Sequence, residues 1–258
     1  MRLMTYNIRC AIDRRKKHRQ WPKRLELMAD QIQQASIAGF QEVLPNQLDD
    51  LKKVMRNHRY VGVGRSLGDH DGEHVPIFYE TKRWQKVESG HFWLSATPDI
   101  PGSTTWGNRI PRMCTWLRLI DRSSRRGLYV FNTHLDHLSW KSRRLSAQLL
   151  LATIQNRPSP GDPVVLMGDF NCRPGSTPLK TLLRDKRQLI DSFSKSSELP
   201  NASSTYNGWR PSKKGRRRID FILLSPSLKL RNSQILCISR GSTVASDHHP
   251  VVADLDWA

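Results

Sequence analysis

No apolar run in this 258-residue sequence approaches the roughly 20 residues that a helix needs to cross a bilayer, and the mean hydropathy is −0.59. The sequence therefore excludes a protein that spans the membrane with helices. The first residues also lack the apolar core and small-residue cleavage site of a secretory signal, and residues 1–8 are typical of a strand instead. We expect a cytoplasmic protein with no membrane span.

Cysteine is scarce as well. The four cysteines lie far apart, and none belongs to a C-x-x-C pair: Cys10, Cys114, Cys172 and Cys237. A structural zinc site or a disulfide framework normally shows closer or more regular spacing. We therefore expect reduced thiols.

Acidic residues are outnumbered, with 23 Asp and Glu against 42 Lys and Arg, which gives a formal charge of +19. This excess favours a polyanionic partner such as nucleic acid. Two runs hold 13 of the basic residues: Arg14, Arg15, Lys16, Lys17, Arg19, Lys23 and Arg24, then Arg210, Lys213, Lys214, Arg216, Arg217 and Arg218. Trp21, Tyr206 and Trp209 lie among or beside these runs, and such aromatics suit base stacking. The alternative is a pair of solvated basic loops.

Strand and helix patterns alternate along the chain, with no internal repeat or low-complexity linker, so we expect one domain over residues 1–258. Helices are predicted over residues 22–36, from a cap at Asn46 to about residue 58, and over 145–154. Strands are predicted over residues 1–8, 37–42, 75–79, 113–120, 128–132, 164–167, 219–224 and 251–255.

Many of these strands are apolar along their whole length, which is typical of strands covered on both faces. An α/β layered fold follows, and the pattern alone allows either one doubly wound sheet or two packed sheets. Strand-like runs separated by few residues within 75–94 indicate antiparallel pairs. We favour two mixed, mostly antiparallel sheets packed face to face, with helices outside.

Polar residues follow these strands at six places, where the sequence reads YNI, FQE, FNTH, GDFN, RIDF and SDHHP. Any one of them is typical of a cap or a turn. Ligands of α/β folds bind beyond strand ends, so six such segments predict one shared pocket.

The residues at these ends indicate a site for a hard cation. Glu42, Asp169 and Asp247, with Asn7 and Asn171, offer oxygen ligands, which suit Mg²⁺ or Mn²⁺ better than zinc. Histidines beside these carboxylates and the basic surface together favour hydrolysis of a phosphoester.

The ordered motifs N-I-R, Q-E-V, N-T-H-L-D, G-D-F-N, R-I-D-F-I and S-D-H-x-P resemble the endonuclease/exonuclease/phosphatase superfamily nearly from end to end. The segments GEHVPIFY, FWLS and PRMCTW further resemble an uncharacterised bacterial branch related to deadenylase-like and deoxyribonuclease-like members. The resemblance implies a four-layer α/β sandwich and a divalent-metal phosphoesterase.

The resemblance also implies roles for the metal and the attacking water. Glu42 of the Q-E motif would be the principal metal ligand, with Asn7 and Asp247 near the metal. Asp169 would orient or deprotonate the water, and Asn171 would hold that water or a phosphate oxygen.

By the same resemblance, His248 would contact the scissile phosphate, and Asp220 would fix its tautomer. His134 would be a second imidazole on the phosphate side. Glu73 is similar to the carboxylate that pairs with this histidine in deoxyribonuclease-like members.

Other residues are open to two interpretations. Arg109, Arg112 and Trp209 are candidates for substrate binding, although a cation beside a motif is also expected by chance in so basic a chain. His249 fills the variable position of S-D-H-x-P, and we expect it to be a bystander because adjacent strand residues face opposite ways.

We predict a Mg²⁺- or Mn²⁺-dependent nuclease that cuts DNA or RNA by in-line attack of water, and a monomer. One alternative is a phosphatase or phosphodiesterase acting on a small molecule or lipid headgroup, since the motifs fit these chemistries equally. Another is a nucleic-acid-binding protein without catalysis. Because every proposed catalytic residue is present, the last is the least favoured.

Overall fold

The computed structural model describes residues 1–12, 16–184, 189–195, 204–210 and 217–258. Short 3₁₀ turns lie at Lys17–Arg19 and Ser192–Lys195. In chain order the other elements are β1 (Arg2–Asn7), α1 (Trp21–Ile32), β2 (Ile37–Gln41), α2 (Pro45–Val54), β3 (His58–Val61), β4 (Ile77–Glu80), β5 (Trp84–Trp93), β6 (Met113–Asp121), β7 (Gly127–His134), α3 (Trp140–Gln155), β8 (Val164–Asp169), α4 (Thr177–Leu182), β9 (Ile190–Asp191), β10 (Asp220–Leu224), β11 (Leu228–Ile235), β12 (Ser239–Arg240), β13 (Thr243–Val244) and β14 (Val251–Trp257).

Within the described part of the chain, two six-stranded sheets pack face to face. The first sheet has the order β11-β14-β1-β2-β4-β3, and the second has the order β5-β6-β7-β8-β10-β9. The pairs β1–β2 and β7–β8 are parallel, and the other pairs within these sheets are antiparallel. The predicted sandwich of two mixed, mostly antiparallel sheets is confirmed.

Three large apolar clusters of the described residues hold the layers together. The middle cluster, which includes Leu3, Leu117 and Val165, lies between the sheets. Another cluster lies between the second sheet and helices α3 and α4. The remaining one lies between the first sheet and helices α1 and α2. Both faces of each sheet are therefore covered, which explains why the central strands are apolar throughout.

The predicted strands are present, with ends that differ by a few residues. Strand β11 was not predicted, because its residues alternate between buried and exposed at the edge of a sheet and carry many polar side chains. The runs within 75–94 were wrongly expected to form an antiparallel pair. Strand β4 belongs to one sheet and β5 to the other, so the short link between them crosses from sheet to sheet.

The helix ends also differ from the prediction. Helix α1 ends at Ile32, because Ser36 already donates its backbone N–H to the carbonyl of Arg2 at 2.9 Å, at the start of β1. Asn46 is not the cap of α2: Leu44 is, with Pro45 in the first turn. Helix α3 begins before residue 145, since the Ser139 hydroxyl accepts the N–H of Ser142 at 3.1 Å and caps a first turn.

The two parallel pairs position the site. Helix α1 connects β1 to β2, and α3 connects β7 to β8. Parallel strands end at the same edge of a sheet, so the carboxyl ends of all four strands carry polar residues to one end of the sandwich. Among the described residues, no helix has both the length and the apolar character that crossing a bilayer demands.

Candidate active site

The polar residues that follow the strands meet at one pocket of about 600 Å³. Eight of the predicted site residues line it directly: Glu42, Glu73, Arg112, His134, Asp169, Asn171, Asp247 and His248. Glu42 and Asn171 have φ values of +60° and +47°. These left-handed conformations are sterically costly for residues with a Cβ, and they turn the chain sharply where each strand ends.

Asn7 lies beneath the pocket and joins two of its carboxylates. Its Nδ2 donates to Oε1 of Glu42 and to Oδ2 of Asp169, both at 3.0 Å, while its Oδ1 accepts the backbone N–H of Arg9 at 3.0 Å. Asn7 therefore lies beside Glu42, the expected principal metal ligand, and links the ends of β1 and β8 across the two sheets.

Asp169 is the central carboxylate. Its Oδ1 accepts the N–H of Asn171 at 2.9 Å, and its Oδ2 lies 3.5 Å from Nε2 of His134 and 3.8 Å from Nε2 of His248. Burial and the neighbouring charge of Asp220 raise the pKa of Asp169 to about 7. A carboxylate with such a pKa is suited to take a proton from water near neutral pH.

His248 is held by Asp220, as the sequence predicts. Nδ1 of His248 lies 2.9 Å from Oδ2 of Asp220, which leaves Nε2 directed toward Asp169. Burial by itself lowers the pKa of this histidine, but the charges of Asp220 and Asp169 together raise it well above the usual value. The neighbouring carboxylates therefore favour the protonated form of His248, in which Nε2–H is a charged donor.

His134 has the opposite character. The guanidinium of Arg112 donates to Nδ1 of His134 at 3.1 Å and to Nδ1 of His137 at 3.0 Å. Burial, and then the charge of Arg112, lower the pKa of His134 well below the usual value. Nε2 of His134 lies 3.1 Å from Nδ2 of Asn171, so both ring nitrogens face nitrogen donors: Arg112 at Nδ1 and Asn171 at Nε2.

Glu73 does not pair with His134 in the structure. Its carboxylate accepts two hydrogen bonds from Arg65, at 2.6 and 3.0 Å. Arg65 precedes Glu73 by eight residues and belongs to no recognisable motif. It reaches Glu73 because the loop between β3 and β4 folds back, with the N–H of Arg65 donating to the carbonyl of Glu73 at 3.0 Å. Glu73 still lines the pocket, as a partner of Arg65.

The three residues predicted to bind substrate differ in their position relative to the pocket. Arg112 is buried and lines the pocket, whereas Arg109 is exposed and lies outside the pocket lining. The ring of Trp209 lies under the guanidinium of Arg19, with the Cζ atom 4.7 Å from the ring centroid, and it is also outside the lining. The contacts of Trp209 with Arg19 and Arg24 hold the loop that contains Trp209 against the start of α1.

The basic runs are only partly a free surface. Arg24 is 1% exposed and donates to the backbone carbonyls of Arg9 and Arg19, and Trp21 is buried. Arg218 forms an ion pair with Asp191. Arg14, Arg15, Lys213, Lys214 and Arg216 lie outside the described residues.

Several pocket residues were not predicted: Arg9, Cys10, Arg65, His137, Arg173, Tyr206 and Arg217. His137 follows His134 in the segment N-T-H-L-D-H, so its position beside a motif was a usable signal. His249, the expected bystander, is buried outside the lining, with Nδ1 3.4 Å from Nδ2 of Asn207.

The donor set fits a divalent cation. Glu42, Asp169, Asp220 and Asp247 are all buried, and ligand atoms of Asp169, Asp220 and His248 lie within 4.8 Å of one another. Burial raises the pKa of Asp247, whereas Arg9 and Asn7 offset the burial of Glu42 and hold its pKa low. Crowded carboxylates of this kind are stabilised by a hard cation with oxygen ligands.

Comparison with known proteins decides the family. The model of the Endonuclease/Exonuclease/phosphatase family matches residues 4–248. The chain belongs to this family. As a member, it is a hydrolase of phosphoester bonds, and the predicted superfamily is confirmed. No curated protein matches the chain.

Solved structures of this family superpose on the whole chain. A mannosyl-6-phosphatase of Bacteroides thetaiotaomicron is 32% identical, with a TM-score of 0.92 and 100% of each chain covered. A protein of unknown function from Enterococcus faecalis is 27% identical, with a TM-score of 0.90 and 100% of each chain covered. The human Nocturnin catalytic domain, 21% identical, shares the fold with a TM-score of 0.78, covering 100% of this chain and 93% of its own.

Proposed function

We propose that Asp169 activates the water that attacks the phosphorus atom of the substrate. The observation that carries this proposal is the position of Asp169, whose carboxylate lies between a neutral His134 and a cationic His248 and has a pKa of about 7. A base with this pKa takes a proton from water at neutral pH and is regenerated readily.

The surrounding residues stabilise the charge that develops on the phosphoryl oxygens. His248 offers a charged Nε2–H and Arg112 a guanidinium, and His134 is held by Arg112 at Nδ1 and by Asn171 at Nε2. These donors are buried and fixed by their own partners before substrate arrives, and such preorganised donors stabilise a transition state strongly. Asp220 acts through His248 as a positioning residue.

Glu42 and Asp247, with Asn7 beside them, would hold a divalent cation, Mg²⁺ or Mn²⁺. That cation would supply Lewis-acid stabilisation of a phosphoryl oxygen. The carboxylate and amide donors of these residues match the ligands that such hard cations prefer.

The substrate that we favour is a small phosphomonoester of the sugar-phosphate class. The volume of about 600 Å³ suits one small ligand. Trp21 and Trp209 are engaged in packing, so Tyr206 is the one of the three predicted stacking aromatics that lines the pocket. The similarity to a mannosyl-6-phosphatase over the full length supports the same class. A nuclease is the second candidate, because the charge of +19 favours a polyanionic substrate.

One panel of substrates separates the two candidates. Hexose 6-phosphates, p-nitrophenyl phosphate, bis(p-nitrophenyl) phosphate, single-stranded DNA and RNA are each assayed with Mg²⁺, with Mn²⁺ and with chelator. We expect chelator-sensitive release of phosphate from monoesters, with a weak dependence of KM on salt. Cleavage of the polymers, with log KM rising by about 0.7 to 0.9 per contacted phosphate per log unit of salt, would instead establish the nuclease.

The role of Asp169 is tested by Asp169→Asn, with Asp99→Asn as the control because Asp99 is an exposed carboxylate outside the pocket. We expect kcat to fall by about 10²- to 10⁴-fold for Asp169→Asn and to stay unchanged for the control. An Asp169→Asn variant that folds and retains full turnover would contradict the proposal.

A further inference from the structure

Arg9 lies across the two carboxylates that the proposed function gives to the cation. Its Nη1 lies 3.2 Å from Oε2 of Glu42, and its Nε lies 3.8 Å from Oδ2 of Asp247. The side chain is 39% exposed, whereas those of Glu42 and Asp247 are 11% and 9% exposed. One guanidinium therefore caps both buried carboxylates from the solvent side of the pocket.

The backbone of Arg9 is fixed in an unfavourable conformation. Its φ is +57°, in the left-handed region that a residue with a Cβ seldom adopts. The N–H donates to Oδ1 of Asn7 at 3.0 Å, and the carbonyl accepts from Arg24 at 2.9 Å and from Gln47 at 3.0 Å. Because Asn7, Arg24 and Gln47 are all buried, they hold this residue where its side chain reaches the carboxylates.

The same carboxylate oxygens have few other donors. Oε2 of Glu42 also accepts the backbone N–H of Cys10, at 3.2 Å, and Oε1 accepts from Asn7. Arg9 forms ion pairs with both Glu42 and Asp247, and His248 adds positive charge from nearby. A guanidinium and a divalent cation that both bind these oxygens must compete for them.

We infer that Arg9 is an intramolecular counter-ion of the metal site, which neutralises Glu42 and Asp247 in the metal-free protein and is displaced from them when a divalent cation binds. The inference rests on the proposed function, since it takes Glu42 and Asp247 as ligands of the cation. Competition makes the metal site weaker than its carboxylates alone would make it. It also links metal binding to the release of one guanidinium into the pocket that receives the phosphate.

The test uses Arg9→Met, which keeps most of the length of the side chain and removes the charge. Binding of Mn²⁺ to the purified, chelator-treated protein is measured by titration calorimetry. We expect Arg9→Met to bind Mn²⁺ about three- to tenfold more tightly than the wild type, because the ion no longer displaces a cation that is partly screened by solvent. Arg109→Met is the matched control: it removes one exposed charge outside the pocket and should leave the affinity unchanged.

Thermal unfolding supplies a second readout that a merely structural role would not give. Without metal, we expect Arg9→Met to unfold at a lower temperature than the wild type, because Glu42 and Asp247 lose their counter-ion. With saturating Mn²⁺, the two unfolding temperatures should converge. A deficit that persists unchanged with Mn²⁺ would mean that Arg9 only supports the fold, and would overturn the inference.

The outcomes separate this inference from the proposed function. If the wild type binds no Mn²⁺, the proposed metal site itself fails. If the wild type binds Mn²⁺ and Arg9→Met binds it no more tightly, only the role of Arg9 is overturned. Arg9→Gln carries the same expectations and replaces Arg9→Met if that variant does not fold.

Discussion

Two buried histidines in the pocket, His134 and His248, differ in charge because their charged neighbours differ. Asp220 stabilises the protonated form of His248, and Arg112 opposes protonation of His134. The residue type is the same at both positions, so the environment alone assigns a charged imidazole to one side of Asp169 and a neutral imidazole to the other.

Asp121, at the far end of β6, follows the same principle outside the pocket. Its Oδ2 accepts hydrogen bonds from Arg83 at 3.0 and 3.1 Å and from the indole of Trp257 at 3.2 Å, and its Oδ1 accepts from the hydroxyl of Ser123 at 2.6 Å. Burial by itself raises the pKa of Asp121, but the bonds from Ser123, Trp257 and Arg83 lower it below the ordinary value.

We predict that Asp121→Asn lowers the free energy of unfolding at pH 7 by about 2 kcal/mol, because three charge-assisted contacts are lost or reversed. The pKa of Asp121 is lower in the folded chain than in the unfolded one. Its contribution is therefore complete above about pH 4 and is lost as the pH falls further. Urea unfolding of both proteins across this range should show the difference between them narrowing in acid.

The control is Asp99→Asn, because Asp99 is an exposed carboxylate. We expect this variant to have the same free energy of unfolding as the wild type both at pH 7 and in acid. A difference for Asp121→Asn that stays constant into acid would show that its hydrogen bonds do not depend on the charge of the carboxylate.

At the scale of elements, the end of β8 determines where Asp169 lies. Gly168 precedes it with φ of +147°, and a Cβ at Gly168 would lie 2.0 Å from the backbone carbonyl oxygen of Thr133 in β7. Strands β7 and β8 approach closely here because this position carries no side chain. That approach brings His134 and Asp169 together as paired residues at the ends of two parallel strands.

We predict that Gly168→Ala lowers the free energy of unfolding by about 3 kcal/mol, since the obstacle is backbone that can move only with the strand. The displaced β8 should also lower kcat by about 10²-fold, because Asp169 leaves its position. Gly161→Ala is the control: no described residue comes within 4 Å of its added Cβ, so stability and turnover should be unchanged. Equal behaviour of the two variants would refute the account of this strand end.

At the scale of the whole molecule, the two sheets are joined by polar bonds as well as by the apolar core. Asn132 of β7 donates to the carbonyls of Phe40 and Pro76 at 2.8 and 2.9 Å, and it accepts from Gln41 at 2.6 Å. The sequence showed Asn132 and Gln41 only as polar residues near strand ends. In the structure they lie buried between the sheets, below the pocket rather than in it.

We predict that Asn132→Ala lowers the free energy of unfolding by about 2 to 4 kcal/mol, because it removes one donor from each of two buried carbonyls, takes the acceptor from Gln41 and opens a small cavity. Asn232→Ala, at an exposed position of the edge strand β11, is the control and should change stability little. Chemical unfolding of both variants measures the difference. An Asn132→Ala variant as stable as its control would mean that the apolar core alone holds the sheets together.

The sequence by itself determined the alternation of strands and helices, the apolar sheets and the order of the motifs. Hydrophobic periodicity and short motifs depend on residues that are close in the chain, so a single sequence displays them. Glu42, Asp169, Asp247 and His248 were accordingly placed at strand ends that do converge on one pocket.

Only the tertiary structure decided which partners these residues have. Glu73 binds Arg65 rather than His134, Trp209 lies under Arg19, and β4 and β5 join different sheets. Each outcome depends on segments that fold back or cross between layers, so a side chain meets groups that its own stretch of sequence does not specify. Charge and hydrogen bonding act over a few ångströms in space, and the number of residues between two groups in the chain does not fix that distance.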